Sequence, residues 1–339
     1  MDLDPKYDNY DFPLNAEQGK PGHAGFLTSE QIAQVHQLRL MLESEGYTDR
    51  LDTLTLLRFL RARKFDVNLA KKMFTETETW RKDSKLDELL PVWDYPEKPK
   101  VAKYYQQFYH KTDKSGRPVY IELLGGIDLN ELYKVTTPER MLTNLAVEYE
   151  RMADPFLPAC SRKSGHLIET GCTIMDLKGV TLTKIPQVYS YVRQASTISQ
   201  NYYPERLGRL YLINAPWGFS TVWSVVRGWL DPVTVDKIHI LGSSYQTELL
   251  KQVPAENLPK IFGGECECPN GCQHSDAGPW HDPQWTKPAK WQKNTIQNTS
   301  TEIETPAQPA ATTDAPAPAT ATAADAAPAL AEAKQPAPA

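Results

Sequence analysis

The chain has 339 residues, 40% hydrophobic and 23% charged, the composition of a folded globular protein with a sizeable core. That length suits one large domain with appendages, or two domains. With 37 Lys and Arg against 42 Asp and Glu, the net charge is −5, which gives no basic field for nucleic acid, and no apolar run approaches the ~20 residues of a membrane span.

The N-terminal MDLDPKYDNYDFPLN is acidic and polar and does not read as a signal peptide. Five cysteines, an odd number, then point to the reducing cytosol. Residues 1–26 read as an extended arm, and residues 27–92 as a small all-helical bundle. Thr28 and Gln31 fit a capping box, with Ile32, Val35, Leu38 and Leu42 on one face of the helix that follows. The next helix lies in TLTLLRFLRARKFDV, Thr53–Val67. At about 100° per residue, Arg58 and Arg61 fall away from Leu56, Leu57 and Leu60 and read as a solvated face. Arg63 and Lys64 instead flank the apolar stripe at the last turn. Cations there are favoured by ~0.3–1 kcal/mol through the helix dipole, and that reading comes first on this stretch alone; the other is that they hold an anion beside an apolar surface. Asp66 or Asn68 caps a third helix, with Leu69, Met73 and Trp80 along one side.

After Tyr95 the pattern changes. PVYIELL, CTIMDL, RLYLIN and KIHIL are short apolar runs of buried-strand length. Between them stand helical patterns: PERMLTNLAVEYERM, Thr183–Tyr203 and GFSTVWSVVRGWLDP. Strand alternating with helix predicts an α/β fold with a mostly parallel sheet over residues 93–285. In the last of these helices Phe219, Val222, Trp223, Val226 and Leu230 share an apolar face, with Val225 and Trp229 outside it. The adjacent glycines of IFGG predict a positive φ or close backbone packing, so Gly264 should resist substitution. Residues 286–339, rich in Ala, Pro and Thr, read as a disordered tail.

No nucleotide-binding, hydrolase, kinase or zincin motif occurs. His166 and His239 lie beside predicted strands, where a general base or a hydrogen-bonded structural residue would fit. CECPNGCQH, Cys266–His274, offers four soft ligands, as zinc requires. Its C-x-C spacing departs from the usual C-x2–4-C, so it reads as three reduced cysteines in a tight loop, and no metal is assigned.

TLLRFLRARKFDV, HKTDKSGRPVY, CTIMDLKG, NYYPERLGRLYLINAPWGF, LDPVTVDKI and PAENLPKIFGG stand in the order and spacing of one family. Together they resemble the CRAL-TRIO lipid-transfer family, and within it the fungal-type phosphatidylinositol/phosphatidylcholine transfer proteins. The resemblance implies an N-terminal CRAL-TRIO helical bundle, then an α/β domain whose sheet floors an apolar pocket for one phospholipid. It implies a non-enzymatic, monomeric protein without a cofactor, the lipid being cargo. Such a protein visits membranes peripherally, in the cytoplasm and at the Golgi in support of secretory traffic, and presents phosphatidylinositol to phosphoinositide kinases.

By the same resemblance Arg63, Lys64, Glu205, Thr234 and Lys237 match the inositol-lipid headgroup site. Tyr109, Tyr120, Tyr149 and Thr173 match the choline-lipid site, and Phe219, Trp223, Val226 and Trp229 belong to a mobile gate. The family's choline-lipid strand carries Ser-x-Thr, but here it reads Gly171-Cys172-Thr173, without the serine. The alternative is a carrier of another hydrophobic ligand, such as a sterol, which would not need Arg63 and Lys237 together.

Overall fold

The computed structural model describes residues 3–16 and 21–292. The tail expected to be disordered lies outside them from residue 293 onward. Thr286–Gln292, grouped with that tail in the sequence reading, instead joins the core: Ala289 is buried and the Trp291 indole donates to the Asp154 carbonyl at 3.0 Å.

Helix α1 spans Ser29–Ser44, with the Thr28/Gln31 capping box formed and Val35, Leu38 and Leu42 buried. Helix α2 is Thr53–Ala62, capped by Asp52. The arm docks on that helix start: Asp8 accepts from the Thr53 amide and hydroxyl, both at 2.6 Å, and Tyr10 donates to Asp52 at 2.7 Å. These carboxylates satisfy helix-start donors and oppose the dipole's positive end. Helix α3, Val67–Asp83, is capped by Asp66. Its buried stripe runs through Ala70, Met73, Phe74, Thr77, Trp80 and Arg81. Leu69, one residue and about 100° ahead of Ala70, is 50% exposed rather than part of that stripe.

Five strands follow in the order β1-β2-β3-β4-β5: Gln106–Thr112, Pro118–Leu123, Gly171–Asp176, Leu207–Ile213 and Ile238–Ile240. β1 is antiparallel to β2, and the other pairings are parallel. The predicted apolar runs became β2 to β5. β1, QQFYHKT, was not foreseen, because an edge strand flanked by Gln, His and Lys carries little hydrophobic signal. Its turn is built by Asp113, which accepts from the amides of Ser115 and Arg117, both at 2.9 Å.

Side chains alternate across the sheet. Val119, Ile121, Cys172, Ile174, Tyr211 and Ile213 face one side and pack with Leu249, Leu258 and Phe262 into the main core. The other side has no such filling. Over it lie the Pro138–Arg151, Ile185–Tyr202 and Phe219–Arg227 helices, which with the sheet enclose a cavity.

Candidate functional site

The cavity measures about 980 Å³. Its floor is one row of residues running across the sheet. Tyr109 pairs with Tyr120, Tyr120 with Thr173, Thr173 with Leu210, and Leu210 with Ile238; all five line the cavity. Tyr109 and Tyr120 have ring centroids 4.8 Å apart. Tyr149, from the Pro138–Arg151 helix, also lines the cavity and donates to Ser199 at 2.8 Å. The four residues matched to the choline-lipid site therefore share one cavity. Burial pushes the hydroxyl pKa of Tyr109, Tyr120 and Tyr149 upward, so all three stay neutral. Gly171 lines the same floor two residues before Thr173, while Cys172 between them faces the opposite core.

Two carboxyls that the sequence reading did not single out stand beside these tyrosines. Glu122 receives hydrogen bonds from Tyr105 at 2.9 Å and Gln107 at 3.2 Å. Burial raises its pKa despite those donors. Glu148 pairs with Lys98 at 3.1 Å and Arg151 at 3.0 Å. Arg206, which is also among the cavity residues, donates to the Glu169 carbonyl at 3.1 Å. Burial and the neighbouring Arg58 lower its pKa to about 9, still leaving it a cation at neutral pH. The signal that could have found it is the second half of Glu205-Arg206, an adjacent acid and base just before β4.

The inositol-site residues are more dispersed. Among them Thr234, on the short Pro232–Val235 helix, lines the cavity. Lys237 Nζ lies 3.9 Å from Glu205 Oε2, both side chains just over one-fifth exposed. Glu205 has φ +58°, uncommon for a residue with a Cβ. Arg63 ends α2 and turns back to donate to the Ala62 carbonyl at 3.0 Å; Lys64 follows, exposed, with φ +50°.

Arg58 and Arg61 are not a solvated face. Their side chains are 13% and 7% exposed, and both reach Glu169, itself 9% exposed, at 4.0 and 3.2 Å. Burial would raise the Glu169 pKa; Arg61, Arg58 and Arg206 overcome it and hold the carboxyl below its ordinary range.

The Phe219–Arg227 helix has no buried residue. Its apolar side faces the cavity, where Phe219, Val222, Trp223 and Val226 form part of the wall. Val225 and Trp229 belong to that wall as well, against the expectation that they lie outside the apolar face. Trp229 stands seven residues after Val222, a spacing that returns to the same face, and lies edge-on to Tyr189 at 5.0 Å.

Such an architecture, a sheet-floored apolar cavity walled by an unburied amphipathic helix, defines an α/β protein built around an apolar cavity. The CRAL/TRIO domain family matches residues 102–264, and the CRAL/TRIO N-terminal domain family matches residues 29–76. The Sec14 cytosolic factor of Schizosaccharomyces pombe is 59% identical over 274 residues, covering 81% of this chain and 96% of that protein. The SEC14 cytosolic factor of Kluyveromyces lactis is 56% identical, covering 81% and 92%. A phosphatidylinositol/phosphatidylcholine transfer protein of Arabidopsis thaliana, SFH4, is 41% identical over 77% of this chain and 45% of its own. The chain belongs to the CRAL/TRIO family. The crystal structure of Sfh5 shares its fold with a TM-score of 0.59 at 15% identity, covering 81% of this chain and 98% of that one.

Proposed function

We propose that this protein is a phospholipid transfer protein that carries one phosphatidylinositol or phosphatidylcholine molecule between membranes. The observation that carries this reading is the cavity. At about 980 Å³ it stands at the top of the ~300–1,000 Å³ range of small-molecule sites, and its walls are mostly apolar. Each acyl CH₂ exposed to water costs ~0.8 kcal/mol, so a closed apolar cavity lets a diacyl lipid leave one bilayer for another without that cost. No covalent step is required.

For phosphatidylcholine, Tyr109, Tyr120 and Tyr149 offer ring faces to a quaternary ammonium, with Glu122 and Glu148 nearby and the Thr173 hydroxyl for the phosphate. For phosphatidylinositol, Arg63 and Lys237 supply charge-assisted bonds to phosphate, with Lys64 as a further cation. Glu205 and Thr234 suit the inositol hydroxyls. The left-handed backbone at Glu205, just before β4, supports this assignment, because such conformations gather at functional sites. The Phe219–Arg227 helix acts as the gate. Trp217, 99% exposed just before it, with Val233, half exposed, supplies an apolar and aromatic face for a membrane interface. The protein works as a monomer in the cytoplasm, touches Golgi-type membranes transiently and offers phosphatidylinositol to lipid kinases.

Mass spectrometry of lipids co-purifying with the natively isolated chain tests this reading. Phosphatidylinositol and phosphatidylcholine near one per chain are expected; a sterol in their place would favour the alternative carrier.

A further inference from the structure

We propose that His110, Cys266, Cys268 and Cys272 form a structural zinc site. Their ligand atoms all lie within 4.8 Å of one another. A tetrahedral zinc with Zn–S near 2.3 Å and Zn–N near 2.0 Å sets its sulfurs roughly 3.8 Å apart and sulfur from nitrogen roughly 3.6 Å. Cys266 Sγ lies 3.9 Å from Cys268 Sγ and 3.3 Å from His110 Nε2. All three cysteines are free thiols.

The surroundings prepare His110 as a ligand. It sits in β1 where the register against β2 shifts between Tyr109 and Thr112, and the following Lys111 has φ +51°. Alternation along the strand turns Tyr109 to the cavity and sets His110 on the opposite face, fully buried against the cysteine loop. Ser275 Oγ donates to the Cys272 carbonyl at 2.8 Å and stands 3.0 Å from His110 Nδ1. With its own proton committed, Ser275 accepts from Nδ1–H, which leaves the Nε2 lone pair directed at the sulfurs. An outer partner on the non-ligating nitrogen is the usual support of a metal-bound histidine.

His274, the fourth potential donor in the Cys266–His274 stretch, is exposed and outside the cluster. The true fourth donor is more than 150 residues away in sequence. The matched CRAL/TRIO domain ends at residue 264, before any of the three cysteines. A metal here ties the loop after the sheet to β1. That loop leads to Trp280, which stacks on Phe156 at 4.3 Å and meets Tyr109 edge-on at 6.0 Å. The site thus holds the outer backing of a cavity tyrosine in place.

The test is elemental analysis of the full chain, expressed with added zinc and purified with reductant and no chelator. About one zinc per chain is expected, and cobalt exchanged into it should give thiolate-to-cobalt charge-transfer and tetrahedral d–d absorption. Cys268→Ser, at a half-buried position, and His110→Ala should each lower zinc content about tenfold or more, while His274→Ala keeps it. If His110→Ala does not fold, Cys268→Ser with His274→Ala still decides the matter. Zinc below a tenth of an equivalent in the parent, iron with acid-labile sulfide, a native Cys266–Cys268 disulfide, or zinc retained by Cys268→Ser would each overturn the proposal.

Discussion

Tyr120 and Thr173 are register partners in the parallel ladder between β2 and β3, and both face the cavity. The strand period then brings Gly171, two residues before Thr173, to the same floor. A Cβ on Gly171 would lie 3.1 Å from the Met152 sulfur and 3.7 Å from the Pro118 carbonyl. Methionine adapts readily to such crowding, so Gly171→Ser should fold. Its hydroxyl would stand beside Thr173 as a second donor to a choline-lipid phosphate, a bond worth ~1.5–3 kcal/mol. We expect phosphatidylcholine transfer to rise about tenfold and phosphatidylinositol transfer to change little. Vesicle transfer assays with both labelled lipids check this; equal choline-lipid transfer by parent and variant would remove Gly171 from the phosphate site.

Lys237 and Glu205 form a 3.9 Å pair that is partly open to solvent, so the pair itself adds at most ~1 kcal/mol of stability. Lys237→Ala should therefore melt close to the parent. Transfer of phosphatidylinositol should nevertheless fall about tenfold or more, as a charged hydrogen bond of ~1.5–3 kcal/mol is lost. Arg63→Ala and Lys64→Ala should fall in the same direction. Thermal melts and transfer rates on one preparation separate the two effects, and undiminished inositol-lipid transfer by a folded Lys237→Ala would end the headgroup assignment.

Glu169 joins the bundle to the sheet domain through Arg61 and Arg58. Removing one partner of a buried ion pair costs ~3–5 kcal/mol, so Glu169→Ala should lower the unfolding free energy read from a denaturant titration by about that much. The sign with pH follows from its depressed pKa. The stabilisation is fully present above the unfolded carboxylate value of about 4.3 and is lost as pH falls through the lower folded value. Glu169→Gln should accordingly show a weaker loss of stability than the parent on acidification below about pH 4.3. Parallel acid titrations of the two by circular dichroism would reveal it; identical curves would mean that Glu169 does not contribute.

Gly263 and Gly264 are required for different reasons. Gly263 has φ +87°. Gly264 has an ordinary φ, but a Cβ there would lie 1.9 Å from the Leu258 carbonyl oxygen. Backbone cannot yield as a side-chain tip can, so Gly264→Ala should cost ~1–3 kcal/mol or more from overpacking, and Gly264→Asp more still. A Gly264→Asp protein as thermostable as the parent would contradict the close approach.

What the sequence by itself determined were the features encoded within a few residues. The Thr28/Gln31 box and the Asp66 cap are local hydrogen bonds, and a capping residue three positions from its partner can be read directly. β2 to β5 were legible because each is a short apolar run of strand length set off by polar or turn residues. The cavity tyrosines were reached through the family resemblance, and the period of two then separates Thr173 from Cys172. What only the tertiary structure decided were the pairings across long chain separations. Arg58 and Arg61 looked solvated because their partner, Glu169, is more than 100 residues further on. β1 carried too few apolar residues to declare itself, and with it went His110, which alternation sets on the face opposite Tyr109 but whose cysteine neighbour is more than 150 residues away. Periodicity reports which face of an element is apolar; which distant charge or ligand meets that face depends on how the elements pack.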